Sequence, residues 1–148
     1  MKVLQNDFFF EEVKRIISQG ESVEILVRGG SMTPYLRDGV DKVVLAPFEQ
    51  SELKKGDIVL YYITDQYMLH RIVKRIKNNF IIQGDGILNK QDNVAISDII
   101  GIVSFIIRPS GKYYSINRPS YRIYWHLWHF FRPFRRYMIA VYRKISNI

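Results

Sequence analysis

Residues 57–76 read DIVLYYITDQYMLHRIVKRI. Two runs within them, 57–63 and 68–76, are dense in Val, Ile and Tyr, the side chains that suit a pleated, half-buried surface. Working outward, 22–27, 42–45, 80–83 and 99–107 have the same character, with 113–116 a weaker version of it. Turn material separates these runs: Gly29-Gly30, Asp38-Gly39, Lys55-Gly56-Asp57, Asn78-Asn79, Gly84-Asp85-Gly86 and Ser110-Gly111. Strands this frequent, without helices between them, predict a mainly β fold: coiled antiparallel sheets in a small barrel-like body rather than a doubly wound α/β fold. One short helix is expected before them, with Asp7 as its cap, Phe9, Val13, Ile16 and Ile17 as its apolar face and Gly20 as its stop.

Charge divides the chain. All 14 acidic residues lie at or before Asp98, so residues 1–117 carry 15 Lys and Arg against 14 acids, a net +1. Residues 118–148 carry seven basic residues (Arg118, Arg122, Arg132, Arg135, Arg136, Arg143, Lys144), no acid, and 9 of the 21 aromatic side chains. The expected organisation is a near-neutral β domain, 1–117, followed by a basic aromatic tail, 118–148. Beyond Pro119 the spacing of Tyr121, Trp125 and Trp128 predicts a helix, which Arg132-Pro133 breaks. A second helical piece over 134–145 puts Tyr137, Val141 and Ile145 on one face. With no cysteine, there is no disulfide framework, thiolate metal site or cysteine nucleophile. His126 and His129 share a helical face without a carboxylate beside them, so neither a metal nor another cofactor is expected. No secretory signal peptide and no apolar run long enough to span a bilayer is present, which predicts a protein that is cytoplasmic or peripheral to the cytoplasmic membrane.

Three segments hold side chains able to do chemistry. In Arg28-Gly29-Gly30-Ser31-Met32-Thr33-Pro34, two glycines free the backbone before the serine and Pro34 stiffens its exit. Ser31 is thereby presented at a strand end, a form shared by nucleophiles and by ordinary glycine-serine turns. A serine hydroxyl needs a base, and the single histidine of residues 1–117 is His70, inside a strand run. A lone strand histidine is also a common structural residue. Gly84-Asp85-Gly86 and the following residues up to Asp92 offer two carboxylates that could orient an imidazole, or serve as turn and loop acids.

Taken in order, Gly29-Gly30-Ser31-Met32-Thr33-Pro34, Leu36-Arg37-Asp38-Gly39, Lys55-Gly56-Asp57-Ile58-Val59, His70-Arg71-Ile72-Val73 and Gly84-Asp85 resemble the type I signal peptidases and their relatives, the self-cleaving SOS repressors. The resemblance covers about residues 25–105. A histidine in the base position aligns it with the endoplasmic-reticulum and archaeal branch, which uses Ser-His-Asp. It implies a serine endopeptidase acting on an extended peptide or leader segment of a protein substrate. Ser31 is then the nucleophile, His70 the base, Asp92 the acid orienting His70, and Asp85 a support behind the site. The backbone N–H of Ser31, with the turn at Gly29, would hold the oxyanion, and Met32 and Pro34 would contact substrate. The chain departs from the pattern in reading Gly-Asp-Gly at 84–86, where the family usually has Gly-Asp-Asn, and in having a short polar-faced helix where signal peptidases carry a membrane anchor.

The competing expectation is a non-catalytic relative that binds a membrane or a peptide, with residues 119–145 as a peripheral membrane element. Packing of Trp125, Trp128 and Phe131 against the β domain is the alternative use of the same side chains. Nucleic acid is a disfavoured partner, because the basic patch is confined to the last 31 residues.

Overall fold

The computed structural model describes residues 2–146, and of residues 2–7 and 132 the backbone alone. The elements in chain order are α1 (Lys2–Ser18), β1 (Val23–Leu26), β2 (Lys42–Ala46), β3 (Ile58–Ile63), β4 (Gln66–Ile76), β5 (Asn79–Gln83), β6 (Asp92–Ala95), β7 (Ile99–Ile107), β8 (Tyr113–Ser115), α2 (Pro119–Phe130) and α3 (Arg135–Ser146). The fold is mainly antiparallel β, with one helix before the strands and two after them, as the sequence predicts.

The strands form one sheet in the order β1-β2-β7-β3-β4-β5-β6, and β8 pairs with the end of β7. β7 is the hub: β3 covers its first half and β8 its second, on the edge opposite β2. β1 and β6 end the order without pairing to each other, so the sheet is not closed and the barrel-like expectation is corrected to an open, coiled sheet. Register shifts at Val44/Leu45, Leu60/Tyr61 and Ile72/Lys74 let its strands bend. Bending gives the sheet two cores. Ile58 and Leu60 point into one with Val13, Leu36, Val43 and Ile106, while Val59 and Tyr61 point into the other with Ile72, Phe80, Ile82 and Val94. This explains why β3 reads as an uninterrupted apolar run, since both faces of a strand between two cores must be apolar.

At the start of the chain, the helix already runs from Lys2, so Asp7 lies in its interior rather than at its cap. Its inner face is Phe10, Val13 and Ile17, and Phe9 is half exposed. Gly101 admits this helix: a Cβ there would lie 2.8 Å from Ile17 Cδ1. β6 lies outside the runs that the sequence marks as strands. With Asp92 and Asn93 in a four-residue strand that buries only Val94, it has almost no apolar signature and owes its form to pairing with β5.

The tail docks on the β domain. Trp125 and Trp128 are buried, Tyr121 and Tyr124 pack on Tyr35, and Trp125 lies against Gly56. Arg135 and Ile139 of α3 are buried as well. Phe131 is instead partly exposed. Among the described residues, no helix is long and apolar enough to cross a membrane, and no group of three or more His, Asp or Glu could hold a metal ion.

Candidate active site

Hairpin geometry places the histidine. β3 and β4 join through Thr64 and Asp65, both with positive φ (52° and 59°), the conformation of a tight primed turn. The turn sets the register Ile63↔Gln66, Tyr61↔Met68 and Val59↔His70. Side chains two apart on a strand share a face, so Tyr61 stands diagonally beside His70.

The diagonal contact is a hydrogen bond. Tyr61 Oη lies 2.8 Å from His70 Nδ1 and donates to Asp92 Oδ2 at 2.7 Å. A tyrosine hydroxyl has one proton, and an ionised carboxylate can only accept. Since the proton of Tyr61 goes to Asp92, Nδ1 of His70 must donate to Tyr61 Oη, which leaves Nε2 without a proton and able to act as a base. Asp92 therefore reaches His70 through Tyr61 and not by direct contact. Burial, with the hydrogen bond to Asp92, raises the tyrosine pKa far above its ordinary value, which keeps the bridge protonated. Burial also lowers the pKa of His70, against the opposing pull of the Asp92 and Asp85 charges, and so favours the neutral imidazole.

Ser31 and His70 line one cavity of about 280 Å³, together with Val27, Gly29, Met68 and Ile87. Among the described residues no hydrogen bond joins Ser31 Oγ to the imidazole. Gly84 sits where the two segments meet: a Cβ on it would lie 2.4 Å from the Ser31 carbonyl oxygen and 3.1 Å from His70 Cδ2. The neighbouring Gly86 donates its N–H to the Ser31 carbonyl at 2.8 Å, and a Cβ there would lie 2.8 Å from the Gly30 carbonyl. The Gly-Asp-Gly of residues 84–86 is thus the surface on which the serine loop rests, and only glycine fits at either end of it.

Asp85, between those glycines, faces away from the imidazole into a buried ion pair. Arg71 Nε and Nη2 donate to its two carboxylate oxygens at 2.9 and 2.8 Å, and both side chains are 3% exposed. The arginine also donates to the Gly56 carbonyl and stacks on Tyr35. Trp128 Nε1 of α2 donates to the Asp85 carbonyl at 3.1 Å. Asp85 therefore anchors the loop beneath Ser31.

Three sequence assignments are corrected by position. The Gly29 N–H donates to Asp38 Oδ1 at 2.8 Å and is not free for an oxyanion, whereas the Ser31 N–H meets no acceptor among the described residues. Met32 is 2% exposed; its sulfur accepts the Asp85 N–H, which makes it a core anchor under the cavity rather than a substrate contact. Pro34 lines a different recess, with Tyr35, Arg108 and Tyr124. Tyr61 is the residue that sequence reading missed. The available signal was the Thr64-Asp65 turn, which sets the register and puts Tyr61 on the face of His70.

Compared with known proteins, the chain matches no family model and no curated protein.

Proposed function

We propose that this chain is a serine endopeptidase of the signal-peptidase-like type, which cleaves an extended peptide or leader segment. The observation that carries this reading is the hydrogen-bonded order Asp92, Tyr61, His70, with the unprotonated Nε2 of the imidazole left for the cavity that Ser31 lines. In the proposed reaction Ser31 Oγ attacks the scissile carbonyl while its proton passes to His70 Nε2. The imidazolium then gives that proton to the leaving amine as the C–N bond breaks. Water, deprotonated by the same nitrogen, releases the acyl group from Ser31. The unengaged N–H of Ser31 supports the oxyanion. Positive charge arising on His70 is stabilised by Asp92 through the tyrosine hydroxyl, which accepts from one partner and donates to the other.

A path for the peptide is compatible with this reading. The Ser31 cavity shares Val27, Arg28, Tyr67 and Leu69 with a larger groove of about 620 Å³ between β1, β4 and α1. β1 is paired only with β2, so a peptide in extended form could add to its free edge and deliver its carbonyl to Ser31.

The test is peptide cleavage followed by mass spectrometry with Ser31→Ala. Cleavage should disappear while the thermal unfolding midpoint stays near that of the unsubstituted chain; cleavage that survives the substitution rejects the proposal. The missing hydrogen bond between Ser31 and His70 favours a second reading, a peptide-binding relative without turnover. Saturable binding of the same peptides with no product from either protein would select it.

A further inference from the structure

We propose that α2 and α3 together form a docking surface for a lipid bilayer with anionic headgroups. Each helix already buries one face, Trp125 and Trp128 on α2 and Arg135 and Ile139 on α3. The outward faces are not buried. On α2, Ile123, Leu127 and Phe130 recur at i, i+4 and i+7 and are 53–77% exposed; on α3, Tyr137, Val141 and Ile145 recur at i, i+4 and i+8 and are 57–64% exposed. Water-soluble surfaces scatter large apolar side chains singly, whereas ordered rows on two consecutive helices mark a contact face. Exposed Arg136, Arg143 and Lys144 flank the row on α3, the arrangement of a helix lying in the plane of a membrane interface. At 12 residues each, about 18 Å, the helices can lie in that interface but cannot cross the bilayer.

Charge selects the occupant. Residues 118–148 hold seven Lys and Arg and no acid, and the rest of the chain is net +1. A second copy docking through this face would bring like charges together, with no acidic excess elsewhere on the molecule to offset them. A nucleic acid would match the charge but leave the apolar rows in water. An anionic bilayer satisfies both features: headgroups meet the cations and the acyl boundary takes the apolar rows.

Vesicle flotation of the full chain tests this. The protein should float with phosphatidylcholine vesicles containing phosphatidylglycerol and stay behind with pure phosphatidylcholine, and added salt should weaken the association. Replacing the flanking cations together (Arg136→Gln, Arg143→Gln, Lys144→Gln) should weaken it roughly a hundredfold. Leu127→Ser, Phe130→Ser and Val141→Ser in one chain should abolish it at low salt, with the unfolding midpoint unchanged because these side chains are exposed. On the unsubstituted protein, amide exchange in α2 and α3 should slow when the anionic vesicles are added. The proposal is overturned by a folded chain that ignores the anionic vesicles, or by binding indifferent to the apolar substitutions. It is equally overturned by a dimer that those substitutions dissolve, or by tighter association with a single-stranded oligonucleotide than with the vesicles. Neither Ser31 nor His70 enters these measurements, so the result is independent of the peptidase reading.

Discussion

Tyr61 is the residue on which the chemistry of the candidate site turns, because it fixes the tautomer of His70. With its only proton given to Asp92, it accepts from Nδ1 and leaves Nε2 as the basic nitrogen. Tyr61→Phe removes the acceptor while preserving the ring, so Nδ1–H loses its partner and the imidazole its orientation. A fall in kcat of roughly tenfold to a hundredfold with little change in KM is expected. Nitrogen NMR of His70 should report loss of the single Nδ1–H tautomer, a readout that needs no substrate. The pH dependence follows from burial. As the pKa of His70 is lowered, the base is already deprotonated at the pH where an ordinary histidine, near 6.5, is half protonated. The acid limb of kcat/KM should therefore lie below about 6.5. Asp92→Asn removes a charge that pulls the pKa upward, so it should move that limb lower still while reducing the rate. The same shift links to stability: the unfolded chain binds the proton more readily, so His70's contribution is present above about pH 6.5 and fades as pH falls toward its folded-state pKa. Replacing His70 with Gln should flatten that part of a stability-against-pH curve.

At the scale of elements, the loop from β5 to β6 is the support on which the serine segment lies. Gly84→Ala places a methyl group 2.4 Å from the Ser31 carbonyl, backbone that cannot swing aside. The loop must shift, at a cost of about 1–3 kcal/mol, and any peptide cleavage should fall with it. Beneath the loop, Arg71 and Asp85 are nearly sealed from water. Arg71→Met strands a buried carboxylate and should cost about 3–5 kcal/mol in chemical denaturation, while Arg71→Met with Asp85→Leu should recover much of that loss. Recovery in the double variant separates a misplaced charge from a loss of packing. α2 belongs to the same support, since its Trp128 holds the Asp85 carbonyl from outside.

For the molecule as a whole, the compositional border near residue 117 is not a border of packing. Trp125 lies against Gly56, Trp128 holds the Asp85 carbonyl, and Tyr121 and Tyr124 cover Tyr35. Removing residues 118–148 takes away two buried tryptophans, each worth about 3–5 kcal/mol on truncation to alanine. The shortened chain should melt on the order of 20 °C lower than the full one in a calorimetric scan. Its loop at 84–86 loses an outer brace, so peptide cleavage should be lost along with stability. The tail thus serves the body with its inner face, while the apolar rows of its outer face stay exposed.

The strands carried their own signature wherever a core faced them, because a run such as 58–61 between two apolar layers has to be apolar throughout. Helix positions after Pro119 and the break at 132–134 were legible for a similar local reason, a 3.6-residue period interrupted by proline. Ser31, His70, Asp85 and Asp92 were legible as side chains with chemistry, since each stands in a segment whose glycines, strand pattern or neighbours mark it. Their division of labour was not. Whether Asp85 or Asp92 serves His70 depends on strand pairing that brings Arg71 to one carboxylate, 14 residues along the chain, and Tyr61 to the other, 31 residues along. β6 was illegible because its form comes from β5 and not from its own residues. The sequence by itself determined the elements and the reactive groups, for these follow from local periodicity and side-chain chemistry. Only the tertiary structure decided which groups touch, and which face of the tail is core and which is surface, because those are set by register and docking between distant segments.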